Sequence, residues 1–259
     1  MSGRRVAGVD VGSRSIEVVV ITGNGDIDYA VEEETSYDPL GQCRRLLAPL
    51  NLDHAVATGY GRHLLARHLK MAVVTEIKAH ATAAGRLYPN CRAVLDIGGQ
   101  DTKAIALDLA GKVTRFEMND RCAAGTGRFL EIMAATLGLE LHELAEQAQK
   151  APSGATISSM CTVFATSEVT GLVSAGQTRD VVARGILESV AARAAAMLRR
   201  LPAEPDVVFS GGVAKNQCLR ELLESELNLP VRVPERPQFI GALGAALLAR
   251  HLGGAAAER

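Results

Sequence analysis

Two stretches of this chain, VDVGSRSIEVVVITGNGDI (Val9–Ile27) and LDIGGQDTKAIALDLAGKV (Leu95–Val113), share one pattern. Each predicts a buried strand, an Asp, a tight turn that contains Gly, a second apolar strand and a hairpin turn marked by Gly. The Asp residues and the turn glycines align: Asp10 with Asp96, Gly12 with Gly98, and Gly25 with Gly111. Because two unrelated hairpins would not be expected to share all of these positions, the pattern indicates an internal duplication.

Each copy also has the chemistry of a phosphate-binding turn. A Gly after the Asp lets backbone N–H groups face a phosphate, and the carboxylate at the strand end can hold Mg²⁺ or its water shell. Two such turns facing each other would hold the phosphates of one nucleotide from both sides. One turn alone is weak support, whereas two in register favour a nucleotide site.

A third glycine turn follows much later, in PDVVFSGGVAKNQCLRELLE (Pro205–Glu224). This stretch predicts a strand, the turn Ser210-Gly211-Gly212, and a helix from about Asn216. Taken alone it is an ordinary strand-to-helix turn. After two phosphate turns, a pocket for the adenosine group becomes the better interpretation, because two glycines let a flat group lie against the backbone.

Together these elements resemble the superfamily of acetate and sugar kinases, heat-shock chaperone ATPases and actin. The resemblance implies an α/β fold of two ribonuclease-H-like halves with nucleotide in the cleft between them. The first half would span residues 1–88, completed by a C-terminal helix over 238–252, and the second would span 89–237 and contain Cys122 and Cys161. The implied site residues are Asp10, Gly12 and Ser13 in the first phosphate loop; Asp96, Gly98, Gly99, Gln100 and Asp101 in the second; and Gly211, Gly212 and Val213 in the adenosine loop. Among these, Asp10, Asp96 and Gln100 would be catalytic.

The remaining pattern fits this organisation. The sequence predicts a short strand over 53–59, a helix over 62–69 and a longer helix between Thr178 and Leu201 with one apolar stripe. Thr178 can cap the longer helix, and Pro202 ends it.

Composition excludes several classes of function. The chain has 259 residues, of which 47% are hydrophobic, and can bury one large core or two smaller ones. A formal net charge of -1 and only 3% aromatic residues argue against nucleic-acid binding. No apolar run is long enough to span a bilayer, and the initial MSGRR leads into a predicted strand without a signal peptide. We therefore expect a cytoplasmic protein with neither nucleic acid nor membrane as a partner.

The chain contains 5 cysteines, an odd and scattered set that does not predict a disulfide framework. Cys122 lies in NDRCAAGTGRFLEIMA (Asn119–Ala134), directly before a loop of small residues that opens into a helix. Cys161 lies in SSMCTVFATSEVTGLVSAG (Ser158–Gly176), before Thr166-Ser167-Glu168, where we expect a helix to begin. Both thiols would thus lie near helix N-termini, where the helix dipole stabilises a thiolate.

The residues alone leave the role of these two cysteines open. A nucleophile would need a positioned base, which no motif around the 6 histidines supplies, and a zinc site lacks a CxxC or CxxH pair. Buried filler is the commonest role of an isolated cysteine, and we assign it to Cys43 and Cys218, with Cys91 in a loop. Two chains related by a two-fold axis could also combine Cys122 and Cys161 into a four-thiolate iron–sulfur site.

Six stretches together are similar to one family: GYGRHLL, LDIGGQDTKAI, MNDRCAAGTGRFLEIMA, SSMCTVFATSEV, FSGGVAKNQ and GALGAALLA. They resemble the activators of 2-hydroxyacyl-CoA dehydratases, a family that also includes the ATPase subunits of benzoyl-CoA reductase. The resemblance runs from Val6 to Leu252 in the expected order. It implies a homodimer with one bridging 4Fe–4S cluster that takes two cysteines per chain, and Cys122 and Cys161 are at the matching positions.

The resemblance implies an ATPase that binds ATP or ADP with Mg²⁺. It would take one electron from ferredoxin or flavodoxin and pass it, at lower potential, to an iron–sulfur dehydratase or reductase. One alternative is a small-molecule kinase of the same superfamily, which would need a catalytic base and leaves the two cysteines unexplained. Another is a nucleotide-switched binding protein without a cluster, in which the cysteines are structural.

One residue departs from the family pattern. Many members carry a Lys where this chain has Glu17, on the second strand of the first hairpin. If its side chain faced the phosphates it would oppose ATP, so we expect it to point elsewhere or to pair with a cation.

Overall fold

The computed structural model describes residues 5–159, 161–202 and 206–255, with side chains through residue 250. The chain forms two compact units: unit 1 comprises Met1–Asn90, Asp108–Val113 and Glu235–Arg259, and unit 2 comprises Cys91–Leu107 and Thr114–Pro234. Parts of three predicted segments lie outside the described residues, namely residues 1–4 of the first half, Met160 of the second cysteine motif and Pro205 before the third glycine turn.

Within the described ranges, the strands are β1 (Val6–Val11), β2 (Ser15–Ile21), β3 (Ile27–Glu34), β4 (His54–Thr58), β5 (Ala72–Val73), β6 (Ala93–Ile97), β7 (Thr102–Leu107), β8 (Val113–Asn119), β9 (Val207–Ser210) and β10 (Val231–Arg232). The α-helices are α1 (Pro39–Leu47), α2 (Arg62–Leu69), α3 (Glu76–Leu87), α4 (Gly127–Thr136), α5 (Leu141–Lys150), α6 (Thr162–Ser174), α7 (Arg179–Arg199), α8 (Gln217–Leu227) and α9 (Ile240–Ala255). None of these helices is both long enough and apolar enough to cross a membrane.

The sheet of unit 1 has the order β3-β2-β1-β4-β5. Strands β1, β2 and β3 pair antiparallel, whereas β4 pairs parallel with β1 and with β5. Apolar side chains cover both faces, with α3 and α9 on one and α1 and α2 on the other. Helix α9 packs directly on β1 because Gly8 has no side chain, and a Cβ there would collide with the backbone of Ala242 and Ala246.

The sheet of unit 2 repeats this arrangement in the order β10-β9-β6-β7-β8. Here β6 pairs antiparallel with β7 and parallel with β9, which in turn pairs parallel with β10. Helices α4, α5, α7 and α8 contribute to a single large core on one face. The duplication predicted from the two hairpins is confirmed, and it extends to the parallel strands that follow each hairpin.

The hairpin turns show the same duplication in detail. Gly25 and Gly111 both have positive φ, +89° and +73°, a conformation that favours glycine. The Gly25 N–H donates to the Thr22 carbonyl at 2.8 Å, and the Gly111 N–H donates to the Asp108 carbonyl at 3.0 Å. The aligned glycines therefore occupy equivalent turn positions.

Most predicted helices are confirmed, and one predicted start is wrong. Helix α2 spans Arg62–Leu69, α7 begins after Thr178, and the Asn216 side chain caps α8 by accepting from the Leu219 N–H at 2.9 Å. Helix α6, however, begins at Thr162 and not at Thr166-Ser167-Glu168, with Cys161 as its N-cap residue. The carboxylate of Glu168 instead accepts hydrogen bonds from the segment before the helix.

Candidate nucleotide loops and cysteine loops

The first candidate phosphate loop lies between β1 and β2. The Gly12 N–H donates to the Ser15 carbonyl at 3.0 Å, which closes the turn that follows Asp10. The Thr35 hydroxyl donates to the Gly12 carbonyl at 2.9 Å and ties the turn to the segment after β3. Because the Gly12 N–H is used within the turn, N–H groups for a phosphate would come from the tip, where Ser13 is half-buried.

Two glycines allow backbone to approach the Asp10 carboxylate. Gly59 follows β4 with φ of +86°, and a Cβ there would collide with one carboxylate oxygen. A Cβ at Gly241 in α9 would collide with the other oxygen and come 3.1 Å from Nε2 of the buried His80. The carboxylate is thus held within unit 1 between the end of β4 and the start of α9.

Strand register places four polar side chains in one row across unit 1. Asp10 pairs with Thr58 of β4 and with Glu17 of β2, and Glu17 pairs with Glu32 of β3. Residues paired in this way point to the same face of the sheet. We call Thr58, Asp10, Glu17 and Glu32 the first polar row. Glu17 is only 5% exposed, and its pairing with Asp10 places it on the face that Asp10 occupies.

The second candidate phosphate loop, between β6 and β7, has the same closure as the first. The Gly98 N–H donates to the Asp101 carbonyl at 2.9 Å. Gly99 and Gln100 form the tip of the loop, and Gln100 is exposed. The two loops are therefore closed by equivalent hydrogen bonds, and each begins two residues after the Asp of the preceding strand.

A second polar row crosses unit 2 at the equivalent position and consists of Ser210, Asp96 and Lys103. The Lys103 ammonium is buried and lies 3.2 Å from Asp96 Oδ2 and 2.7 Å from Asp101 Oδ1. The Ser210 hydroxyl lies 3.5 Å from Asp96 Oδ1. Asp96, which is 3% exposed, is therefore held in place by a cation and a hydroxyl of its own unit.

The candidate adenosine loop follows β9. Gly211 has φ of +86°, and a Cβ there would come 2.6 Å from Asp96 Oδ1. Gly211 therefore lies against the Asp96 carboxylate in the same way that Gly59 lies against the Asp10 carboxylate. A Cβ at Gly212 would meet no atom within 4 Å, so this residue faces open space, and Val213 is buried in the 3-10 helix that follows.

Hydrogen bonds join the second phosphate loop to the segment that follows Cys122. The first N–H groups of α4 donate to this loop, from Gly127 to the Gly98 carbonyl at 2.9 Å and from Arg128 to the Gly99 carbonyl at 2.8 Å. The buried hydroxyl of Thr102 also donates to the Gly125 carbonyl at 2.8 Å. A change in the position of this loop would therefore act directly on the start of α4.

The structure separates the cysteines into two groups. Cys122 and Cys161 are exposed, whereas Cys43, Cys91 and Cys218 are buried. Burial raises the pKa of Cys43 and Cys91 to about 11 and also raises the pKa of Cys218, so all three are neutral thiols at neutral pH. The assignment of Cys43 and Cys218 as buried filler is confirmed, and Cys91 is both in a loop and buried.

The two exposed thiols lie in segments that are held by side-chain hydrogen bonds. In residues 119–126, which we call the Cys122 loop, the Asn119 amide donates to the carbonyls of Cys122 and Ala124 at 2.9 and 3.2 Å. Ser158, Ser159 and Cys161 are called the Cys161 loop.

Glu168 of α6 anchors the Cys161 loop. Its carboxylate accepts from the N–H groups of Ser158 and Ser159, both at 2.9 Å. These donors favour the charged form and lower the pKa of Glu168 to about 2. The folded pKa lies below the ordinary value, so this anchor stabilises the loop at neutral pH and is lost only as pH falls towards 2.

Sequence reasoning missed several residues of these sites. Two short segments match between the units: ATGYG, which contains Thr58 and Gly59, and FSGGV, which contains Ser210 and Gly211. In each, a hydroxyl residue followed by a glycine stands at the end of a strand that runs parallel to the strand carrying the Asp. That shared pair is a signal that could have been found. Lys103 had no such signal, because its position beside Asp96 depends on strand register.

The structure and sequence were compared with those of known proteins. Residues 7–249 match the model of the BadF/BadG/BcrA/BcrD ATPase family. The chain is 43% identical over 250 residues to the activator of lactoyl-CoA dehydratase from Anaerotignum propionicum, which covers 93% of this chain and 96% of the relative. The structure resembles the activator of 2-hydroxyisocaproyl-CoA dehydratase from Clostridium difficile with bound ADPNP, at a TM-score of 0.90 and 33% identity, covering 98% of this chain and 97% of that one.

A more distant neighbour bears on the fold alone. A ROK family glucokinase from Streptomyces griseus shares 13% identity at a TM-score of 0.64, covering 95% of this chain and 98% of the kinase. Together with the duplicated sheets, these neighbours confirm the predicted α/β fold of the actin and sugar-kinase type.

Proposed function

Because the chain belongs to the BadF/BadG/BcrA/BcrD ATPase family, as its motifs predicted, we propose that it is an ATP-hydrolysing activator of an iron–sulfur enzyme. In this proposal two identical chains hold one 4Fe–4S cluster. The dimer takes electrons from ferredoxin or flavodoxin and delivers them at low potential to a 2-hydroxyacyl-CoA dehydratase or a related reductase. The observation that carries the proposal is the separation of the cysteines: the two at the family's ligand positions are exposed, and the other three are buried.

The two phosphate loops support nucleotide binding. The tips of both loops, at Ser13 and at Gly99–Gln100, present backbone N–H groups after a carboxylate. Asp10 and Asp96 orient Mg²⁺ and its water shell, and Gln100 orients the water that attacks the terminal phosphate. The dehydratase activator that the structure resembles at 33% identity was solved with bound ADPNP, which is consistent with this role.

The thiols of unit 2 fit an iron–sulfur cluster in their chemistry. Cys161 is the N-cap residue of α6, so its sulfur lies at the positive end of the helix dipole, which suits a ligand of an anionic cluster. Cys122 is exposed at a loop of small residues, which lets the backbone approach sulfide. When bound, the cluster supplies one-electron redox chemistry at a potential set by charge, hydrogen bonds and solvent exposure.

A second copy of the chain completes the ligand set. One chain offers two exposed thiols, and clusters of this type are held by four. Val163 and Phe164, two and three residues after Cys161, are 70% and 67% exposed, and adjacent exposed apolar side chains can mark an interaction surface. A partner chain at this end of α6 would cover them and would bring its own two cysteines.

Iron and sulfide content tests the proposal. Protein purified without oxygen is expected to be brown and to contain about four irons and four sulfides per two chains. Cys122→Ser and Cys161→Ser are each expected to abolish stable cluster binding, because each change removes two of the four ligands. The matched controls are Cys43→Ser, Cys91→Ser and Cys218→Ser, which should retain iron. Normal iron content in Cys122→Ser would refute the ligand assignment.

A further inference from the structure

Arg193 of α7 lies beside both cysteine loops of one chain. Its Nη2 donates a hydrogen bond to the Ser159 carbonyl at 2.8 Å, in the Cys161 loop. Its Cδ lies 3.9 Å from the position of a Cβ on Gly125, in the Cys122 loop. A single side chain therefore bonds to one of these two segments and lies beside the other, and each segment carries one of the exposed thiols.

A buried aromatic ring fixes the orientation of this guanidinium. The central carbon of the group lies 5.6 Å from the centroid of the Phe129 ring, and Phe129 is fully buried at the start of α4. A cation at this distance is attracted by the face of the ring. Arg193 is thus held by α4 on one side and by the Cys161 loop on the other.

One nitrogen of the guanidinium has no partner in the protein. Nη1 is buried and makes no hydrogen bond to any described residue. Buried polar atoms of folded proteins are nearly always satisfied, so an orphaned donor on a charged group calls for an acceptor that the chain does not supply. Burial lowers the pKa of Arg193, and the Cys122 sulfur nearby opposes that effect.

The two thiols differ in the positive charge that their surroundings provide. Cys161 is the N-cap residue of α6 and lies within the field of that helix. Cys122 lies five residues before α4 begins at Gly127, and the field of a helix falls off within its first turn. For Cys122, the nearby guanidinium takes the place of a helix terminus.

We propose that Arg193 is a positioning residue for the iron–sulfur cluster, joining the two cysteine loops and offering Nη1 to the anionic sulfur ligands. This inference rests on the proposed function, since it concerns the cluster assigned there. A cation and a hydrogen-bond donor beside the sulfurs stabilise the reduced, more negative form of a cluster. Loss of Arg193 should therefore make the cluster harder to reduce and its loops more mobile.

The experiment compares Arg193→Met and Arg193→Lys with Arg199→Met. Arg199 is a matched control, because it lies on the same helix but pairs with Glu226 at the exposed surface. The reduction potential of the cluster is measured in anaerobically purified dimers. Hydrogen exchange of the Cys122 and Cys161 loops is measured in the same proteins after removal of iron, so this measurement does not depend on the cluster.

Arg193→Met is expected to shift the potential to more negative values by about 59 mV, which corresponds to a tenfold change in the one-electron equilibrium. Arg193→Lys keeps the charge and should stay closer to the wild-type potential, although both loops should exchange faster in each variant. If Arg193→Met does not retain iron, the potential of Arg193→Lys is compared with that of Arg199→Met instead.

An unchanged potential, or unchanged exchange in both loops, would overturn the inference. Wild-type protein without iron would instead refute the proposed function, while the exchange measurement would still decide whether Arg193 joins the loops.

Discussion

The first and second polar rows occupy equivalent positions in the two sheets but differ in charge. In unit 2 the residue opposite Asp96 is Lys103, whose ammonium contacts the carboxylate. In unit 1 the residue opposite Asp10 is Glu17, followed across the sheet by Glu32. The duplicated backbone is retained, whereas one side chain has the opposite sign. The second row therefore pairs its Asp with its own lysine, whereas the charged side chains of the first row are all carboxylates.

The hydroxyl groups of the two rows also differ, in whether they have a hydrogen-bond partner. Ser210 lies within hydrogen-bond reach of Asp96, at 3.5 Å. Thr58, which is fully buried, has a hydroxyl without a hydrogen-bond partner among the described residues. An unsatisfied buried hydroxyl costs about 1–3 kcal/mol. The second row is thus the more complete network, and we expect the first row to rearrange more when Mg²⁺ and nucleotide bind.

The largest expected effect comes from removing the lysine of the second row. Lys103→Met keeps the packing of the stem but leaves Asp96 buried without its cation. Breaking a buried ion pair in this way typically costs about 3–5 kcal/mol. We expect a loss of at least about 3 kcal/mol in the free energy of unfolding, measured by urea denaturation.

Glu17→Gln is the matched change in the first row. The substitution removes one negative charge from a row of carboxylates, so relief of repulsion between them should offset the loss of any bond to the charged group. We therefore expect the free energy of unfolding to change by no more than about 1 kcal/mol. If the two substitutions destabilised the protein equally, the charge comparison between the rows would be wrong.

A free-energy effect between these two, on the reaction and not on the fold, is expected from the two Asp residues. Asp10→Asn and Asp96→Asn should each slow Mg²⁺-dependent ATP hydrolysis about 100-fold, or about 2.7 kcal/mol, because each carboxylate organises charge in the transition state. The Mg²⁺ concentration for half-maximal rate should rise more for Asp10→Asn, since Asp96 is already paired with Lys103. Steady-state rates over a Mg²⁺ titration provide both values, and unchanged turnover in both variants would show that the loops are misassigned.

Much of the fold could be predicted because tight turns and helix starts require particular residue types at particular positions. The hairpin turns of the repeat could be predicted because Gly25 and Gly111 have positive φ, a conformation that favours glycine. The start of α8 could be predicted because the Asn216 side chain caps the helix. The start of α6 was predicted wrongly for an instructive reason. Thr166-Ser167-Glu168 has the composition of a helix start, but the Glu168 carboxylate accepts from residues before the helix instead.

The parts of the site that depend on tertiary packing could not be predicted. Lys103 is beside Asp96 because of strand register, and the sequence shows only an isolated Lys in an apolar strand. Arg193 lies on one face of a long helix, and its hydrogen bond to the Cys161 loop and its place over the Phe129 ring of α4 depend on how α7 packs. The place of Cys122 and Cys161 before predicted helices could be read from the sequence, but their role as a ligand pair came only from the resemblance of their motifs to a known family.

The rate of iron chelation in three nucleotide states tests most directly the central claim that ATP controls the cluster. The second phosphate loop is hydrogen-bonded to the start of α4, next to the Cys122 loop, which supports such control. In anaerobic protein we expect ATP to change the chelation rate severalfold relative to protein without nucleotide, ADP to change it less, and Asp96→Asn to remove the response. Identical rates without nucleotide, with ADP and with ATP would contradict the claim.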